Sequence, residues 1–353
     1  TCNDPASDGS TLTVASGVDV NFLAATRAGQ TLVAEGRLVA AAGRSAVYDI
    51  TVTTDDDGGP RRDAHEEKSG RKRRLEYPPA PEPLPVPVVD NHTHLDFRDG
   101  LVRVDVHQAM DAAEAVGVTG AVQVGCDVAS ARFTIAAIEA EPRLLGAVAL
   151  HPNDAARLTE RGEFEEAFAQ IAELARHPRV RAVGETGLDY FRTQDEAGHA
   201  AQQESFRRHI RLARELGTAL QIHDRDAHDD VVRILLEEAA DGGLPPHVVF
   251  HCFSGGPDLA RTCAEHGWHM SFAGPVTFKA NDELREALRT APAELLLVET
   301  DAPFLTPHPH RGRPNAPYLI PVTLRGMAET RGDDVAALAR AVSENTARVY
   351  GAF

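Results

Sequence analysis

Val88-Val89-Asp90-Asn91-His92-Thr93-His94 opens the part of the chain that decides the fold. The apolar start reads as a strand, and the polar end of that strand carries histidines. Working outward, seven more runs of strand length follow: Gly120–Gly125, Leu145–Leu150, Val180–Glu185, Ala219–His223, Val248–His251, His269–Phe272 and Leu295–Thr300. Helix-like segments such as Phe206–Leu216 and Val231–Ala240 separate them, and Asp334–Arg340 and Ser343–Tyr350 close the chain. Strands that alternate with helices predict parallel βα units, and eight of them over residues 88–353 predict an α/β fold, a (β/α)₈ TIM barrel. A doubly wound open sheet would alternate in the same way. No glycine-rich dinucleotide fingerprint follows the first strand, however, and the barrel is the better reading.

Metal-ligating residue types sit where the strands end. His92 and His94 close the first strand, Glu185 the fourth, His223 the fifth and His251 the sixth, and Asp301 follows the eighth. In a barrel these ends open on one face, where active sites are assembled from several strands. Residues i and i+2 of a strand point the same way, so His92 and His94 can face a single ion. Four histidines and two carboxylates exceed the needs of one tetrahedral zinc, and suit two divalent ions sharing a carboxylate. Any one of these histidines alone reads as a core residue, and a lone H-x-H is a weak signal. Six ligand types at the same end of different strands are not weak. Cys252 adjoins His251, but strand alternation points it away from the ligands.

The residues around these ligands carry a resemblance. Val89-Asp90-Asn91-His92-Thr93-His94-Leu95-Asp96, Val183-Gly184-Glu185-Thr186-Gly187-Leu188-Asp189-Tyr190 and Ile222-His223-Asp224-Arg225-Asp226-Ala227 are similar to signatures of the TatD family of metal-dependent deoxyribonucleases. So are His251-Cys252-Phe253-Ser254-Gly255, Glu299-Thr300-Asp301-Ala302-Pro303-Phe304-Leu305 and Arg311-Gly312-Arg313-Pro314-Asn315. The resemblance spans residues 88–353 and implies a barrel of the amidohydrolase superfamily. It also implies two divalent ions, Mg, Mn or Zn, one held by His92, His94, Glu185 and Asp301 and the other by Glu185, His223 and His251. Glu185 stands where many of that superfamily have a carboxylated lysine, which speaks against dihydroorotase-like or phosphotriesterase-like readings. The implied activity is hydrolysis of DNA phosphodiester bonds, including 3'-5' exonuclease action, with single-stranded DNA as substrate. Paired cations activate a water for in-line attack at phosphorus. Asp301 and Glu185 are then the catalytic carboxylates, with Asp301 orienting the nucleophile or taking its proton. Arg225 and Lys279 are the candidates to contact phosphate, and His151, after the third strand, faces the same mouth. The alternative is an amidohydrolase-type hydrolase of a small ester or amide. A binding protein with a dead barrel is disfavoured, because all six ligands are present.

Before residue 88 the composition differs. Val18–Phe22, Thr31–Gly36 and Ala46–Val52 alternate β-branched and polar residues and predict antiparallel strands. Together with Cys2-Asn3-Asp4, Arg27–Leu32 and Gly43–Tyr48, residues 1–55 resemble the second half of a PaaI-type hotdog thioesterase. The catalytic half of that family would precede Thr1, so no catalytic residue is carried over and no thioesterase activity is expected. Residues 56–87 read as a linker, from Asp55-Asp56-Asp57-Gly58-Gly59-Pro60 through the basic Arg71-Lys72-Arg73-Arg74 to a proline-rich stretch ending at Pro87. The expected domains are therefore 1–55, 56–87 and 88–353. The chain opens on Thr, and its natural start is expected to lie upstream.

The 353 residues carry a net charge of −17, −3 of it in residues 1–87 and −14 beyond. An acidic surface argues against a protein that coats nucleic acid, since Lys and Arg supply most non-specific affinity. It leaves room for an enzyme that grips phosphate through ions in a pocket. No apolar run reaches the roughly 18 residues of a membrane span and no secretory signal is visible. The four cysteines, scattered without a CxxC pair, point to a reducing compartment, and a cytoplasmic protein is expected.

Overall fold

The computed structural model describes residues 32–42, 45–54, 76–96 and 105–353, in two compact units that divide after Gly70. In the first unit β1 (Leu32–Ala42) and β2 (Ser45–Thr54) pair antiparallel, Leu32 opposite Thr54 and Ala42 opposite Ser45, with a register slip between Leu38 and Ala40. These are the second and third strands expected there. The first, Val18–Phe22, lies outside the described residues, as do the acidic opening of the linker and its basic cluster.

The second unit is an eight-stranded parallel barrel. Its strands are β3 (Val88–Thr93), β4 (Val118–Gly125), β5 (Leu144–Val148), β6 (Val180–Asp189), β7 (Ala219–Arg225), β8 (Val248–Phe250), β9 (His269–Phe272) and β10 (Leu296–Val298), each bonded to the next. Around them run α1 (Val106–Glu114), α2 (Val128–Ala140), α3 (Pro152–Glu160), α4 (Phe164–Leu174), α5 (Glu196–Leu216), α6 (His228–Ala240), α7 (Pro257–His266), α8 (Asp282–Thr290), α9 (Ile320–Arg331) and α10 (Val335–Tyr350). Several helix starts are marked by side chains that satisfy free backbone N–H groups: Asp105, Asp127, Asp195 and Asp334 each accept from a first-turn amide.

Strand alternation splits the core in two. Along β5, Leu144 and Val148 join the layer that packs on the helices, while Leu145 and Ala147 join a second cluster with Val122, Val124, Ala182, Ala219, Val249 and Leu297. That second cluster is the filling of the barrel. Val349 and Tyr350, at the end of α10, belong to it too, and the Tyr350 hydroxyl accepts from Gln221 Nε2 at 2.8 Å.

The C-terminal segments Asp334–Arg340 and Ser343–Tyr350 form one helix. Nothing between Arg340 and Ser343 breaks the backbone ladder, and the Ser343 hydroxyl bonds back to the Ala339 carbonyl at 2.8 Å. Likewise α5 begins ten residues before Phe206, because its first turns are polar and carry no apolar period.

β10 is only three residues long, and side chains of the first strand complete its seam with β3. Asn91 Nδ2 donates to the Val298 carbonyl at 2.8 Å, and the Thr346 hydroxyl donates to Asn91 Oδ1 at 3.0 Å. Asp90 accepts from the Thr300 amide at 2.9 Å and from the Thr300 hydroxyl. Beyond them the Asp301 amide bonds the His92 carbonyl at 2.9 Å and the His94 amide bonds the Ala302 carbonyl at 2.8 Å.

Residues 76–87, in the proline-rich part of the segment read as a linker, run along the barrel. Prolines offer carbonyls and no N–H, and donors of the barrel hold them. Arg313 reaches the carbonyls of Glu76 and Tyr77, Tyr318 that of Pro78, Arg325 those of Glu82 and Pro83, and Ser343 that of Pro87. Leu84 is buried, its amide bonded to the Val116 carbonyl at 3.0 Å. Among the described residues no helix is long and apolar enough to cross a membrane.

Candidate metal centre

The six ligand-type residues converge at the C-terminal mouth of the barrel. His92 is the penultimate residue of β3 and His94 lies just past its end, their Nε2 atoms 3.2 Å apart. Asp301 arrives across the seam, its Oδ1 3.5 Å from His94 Nε2 and 4.0 Å from His92 Nε2. Its backbone is left-handed, φ +54°, a conformation uncommon outside glycine that Asp tolerates better than most. Glu185 lies between two sets of histidines. Oε1 is 3.7 Å from His94 Nε2, while Oε2 is 2.7 Å from His251 Nε2 and 3.2 Å from His223 Nδ1. The rings of His92 and His251 stack at 3.9 Å.

β6 does not stop at Glu185, where the apolar run ends. After a register slip between Val183 and Thr186 it continues beside β7, Gly187 opposite His223 and Asp189 opposite Arg225. Gly187 makes this possible: its φ is +137°, and a Cβ there would stand 2.1 Å from the His223 carbonyl oxygen. Glu185 is thus a mid-strand residue. His251 and Asp301 fall just beyond the short strands β8 and β10.

The hydrogen bonds behind the ligands fix which nitrogen faces inward. His94 Nδ1 is 3.0 Å from the Val124 carbonyl, and His251 Nδ1 is 3.1 Å from Glu299 Oε1, which also accepts the Cys252 amide at 2.6 Å. With Nδ1 carrying the proton, the Nε2 lone pairs of His94 and His251 point at His92 Nε2 and at Glu185 Oε2. Acceptors facing acceptors at such distances need a proton or a cation between them.

The acid–base balance reflects this. Burial opposes a charge on His94, yet Asp301 and Glu185 drive it up to about 9. Burial opposes a charge on His251 too, and Glu185 and Glu299 hold it well above the usual histidine range. Burial would raise Glu185, but His251 and His223 take it well below the carboxylate range. His92 is pushed far down, by burial and by its neighbour His251. The donor set therefore suits divalent cations. Among the described residues, the groupings whose ligand atoms all lie within 4.8 Å of one another are His92–His94–Asp301, His92–Glu185–His251, His94–Cys126–Glu185 and His151–Asp189–His223.

The residues proposed for substrate are arranged differently. His151 joins the cluster, its ring centroid 4.5 Å from that of His223. Arg225 and Lys279 are exposed, on the rim rather than among the buried ligands. The Arg225 guanidinium lies over the Phe191 ring, 4.0 Å from its centroid.

Three neighbours escaped the sequence reading. Cys126 Sγ donates to Glu185 Oε1 at 3.2 Å, Asp189 Oδ2 is 3.3 Å from His223 Nε2, and Glu299 buttresses His251. Asp189 is four residues from Glu185 and Glu299 two from Asp301, but the register slip in β6 and the left-handed backbone at Asp301 break the strand period that would have linked them. Cys126 follows the last residue of β4, the position the ligands take on other strands.

Residues 89–351, three quarters of the chain, match the family described as TatD related DNase. The chain belongs to this family. A relative in Mycobacterium tuberculosis, named "Uncharacterized metal-dependent hydrolase TatD", is 44% identical over 267 residues, covering 75% of this chain and 98% of the relative. The "3'-5' ssDNA/RNA exonuclease TatD" of Escherichia fergusonii is 33% identical over 250 residues, 68% of this chain and 90% of that protein. Among solved structures, YjjV, a TatD homologue from Escherichia coli, superposes with a TM-score of 0.66 at 25% identity, covering 75% of this chain and 98% of its own. Residues 6–60 match a second family, the thioesterase superfamily.

Proposed function

We propose that the protein is a metal-dependent phosphodiesterase that degrades single-stranded DNA from its 3' end, using two divalent ions. The observation that carries this is Glu185, a buried carboxylate whose two oxygens face different histidines, Oε1 toward His94 and Oε2 toward His251 and His223. Such a carboxylate suits a bridge, with His92, His94 and Asp301 on one ion and His223 and His251 on the other. When bound, the ions supply an acidified water and positive charge beside the phosphate. Asp301, the more exposed of the two carboxylates, takes the proton of the attacking water. His151 and Arg225 meet phosphate oxygens on the β6–β7 side. The exonuclease name of the E. fergusonii relative supports the nucleic-acid substrate.

The test is an assay of the purified protein on single-stranded DNA and on a panel of small esters and amides, with and without chelator. Metal-dependent release of nucleotides from the 3' end is expected. Turnover of esters or amides alone, or nuclease activity that survives chelation, overturns the reading.

A further inference from the structure

Two phenyl rings stand open on opposite sides of the mouth. Phe191 is 52% exposed and Phe304 45%; among the described residues the other large apolar side chains so exposed are Leu236 on α6 and Phe353 at the C-terminus. Single exposed apolar residues are ordinary. These two are distinguished by where they stand. Phe191 follows β6 by two residues, after the Asp189 that touches His223. Phe304 follows Asp301 by three, its amide bonded to the Asp301 carbonyl at 2.8 Å and its ring edge-on to His94 with centroids 6.3 Å apart. In a ring of eight strands β6 and β10 are four apart, so the cluster lies between the two phenyl groups. Arg225, on β7, stacks on Phe191 and places a cation beside that ring.

We propose that Phe191 and Phe304 are the walls on which the bases flanking the scissile phosphodiester stack, with Arg225 meeting the adjoining phosphate, and that this pairing restricts the site to unpaired strands. It rests on the nuclease reading and adds the residues that select the strand. A base offers its π-face to a protein ring only when it has left the duplex stack, and every base has such a face, so these walls read strandedness and not sequence. His92, His94, Glu185 and His251 are buried, so a phosphate reaches them through the mouth that the two rings flank.

The experiment measures kcat/KM on a labelled single-stranded oligonucleotide and on one whose nucleotides flanking the cut are abasic. It uses the metal-loaded full chain and its Phe191→Ala, Phe304→Ala, Phe191→Tyr and Leu236→Ala variants. Each Phe→Ala change is expected to cost about tenfold on the base-bearing strand, through KM. On the abasic strand the loss is expected to be much smaller. Phe191→Tyr keeps a ring and restores most of the rate, and Leu236→Ala is neutral on both strands. Equal losses on the two strands, or no loss on either while the wild type cuts normally, overturn the proposal alone. A wild type that cuts neither strand overturns the nuclease reading, and this proposal with it.

Discussion

The first barrel strand feeds two buried polar layers that are built on opposite rules. In the seam, Asp90 and Asn91 match donors to acceptors: Thr300 and Thr346 donate to them, and Asn91 donates to the Val298 carbonyl. A few ångströms along the chain, His92 and His94 set nitrogen against nitrogen, and His251 sets a lone pair against Glu185. A matched network is finished by the chain itself. A network of opposed acceptors is finished only by a proton or a cation set between them, and folding keeps it because neighbouring bonds, such as His94 Nδ1 to the Val124 carbonyl, hold it in place. Motif residues one position apart thus do separate work, architecture on one side and chemistry on the other.

The largest effect expected from this contrast is at Glu185. Glu185→Gln should lower turnover by a hundredfold or more, since both ion sites lose the same charge. It should also abolish the rise in Tm that divalent metal gives the wild type. Activity assays and thermal scans with and without metal check both. A variant that keeps its rate and its metal-dependent rise would show that Glu185 belongs with the matched layer.

Asn91→Ala should behave in the opposite way. It strands the Val298 carbonyl in the seam, a cost of about 2 kcal/mol for one buried group, while Thr346 keeps its bond to the Val342 carbonyl. Tm should fall with and without metal, while the metal-dependent increment survives. Loss of that increment would mean that the two layers act as one.

The contrast also explains what the sequence reveals. Every barrel strand shows in the apolar runs, because strands buried on both faces carry continuous hydrophobic stretches. The six ligand types that meet at the mouth show as well, since each stands at or beside the end of such a run. The continuation of β6 to Asp189 does not, because its polar residues are paid for by hydrogen bonds that leave no hydrophobic trace. Glu299 and Cys126 stay hidden for a related reason: they act through His251 and Glu185, and a single sequence gives no sign of which polar residue stands behind which ligand. Residues 76–87 read as a linker because proline-rich composition signals extension, while the donors that hold the segment lie some 240 residues away at Arg313, Tyr318 and Arg325.

That segment offers a smaller test. Chains beginning at residue 76 and at residue 88 should differ in stability by about 2 kcal/mol or somewhat more, chiefly from Leu84. Their turnover per folded molecule should match, because Leu84 touches neither polar layer. Chemical denaturation of the two, with activity titrated against folded fraction, measures this. Equal stabilities would mean that the contacts along the barrel contribute nothing.

The smallest effect concerns a histidine built on the matched rule. His209, on α5, is buried; its Nδ1 faces the Ser205 carbonyl at 2.7 Å and its Nε2 accepts the Leu150 amide at 3.2 Å. No carboxylate rewards a charge on it, and burial lowers it to about 4. The unfolded chain takes up this proton near pH 6.5, and the folded chain not until about pH 4. Between those values the unfolded state binds more protons, so stability falls as the solution is acidified, by at most about 1.4 kcal/mol per pH unit from this group. His209→Gln removes the proton and keeps a donor and an acceptor. Its stability, followed by urea unfolding of metal-free protein from pH 7 to pH 5, should decline less steeply than that of the wild type. Parallel curves would mean that folding leaves the proton affinity of His209 unshifted, and a steeper decline in the variant would place it with the charged histidines of the mouth; in either case the distinction between matched and opposed layers would fail at its simplest case.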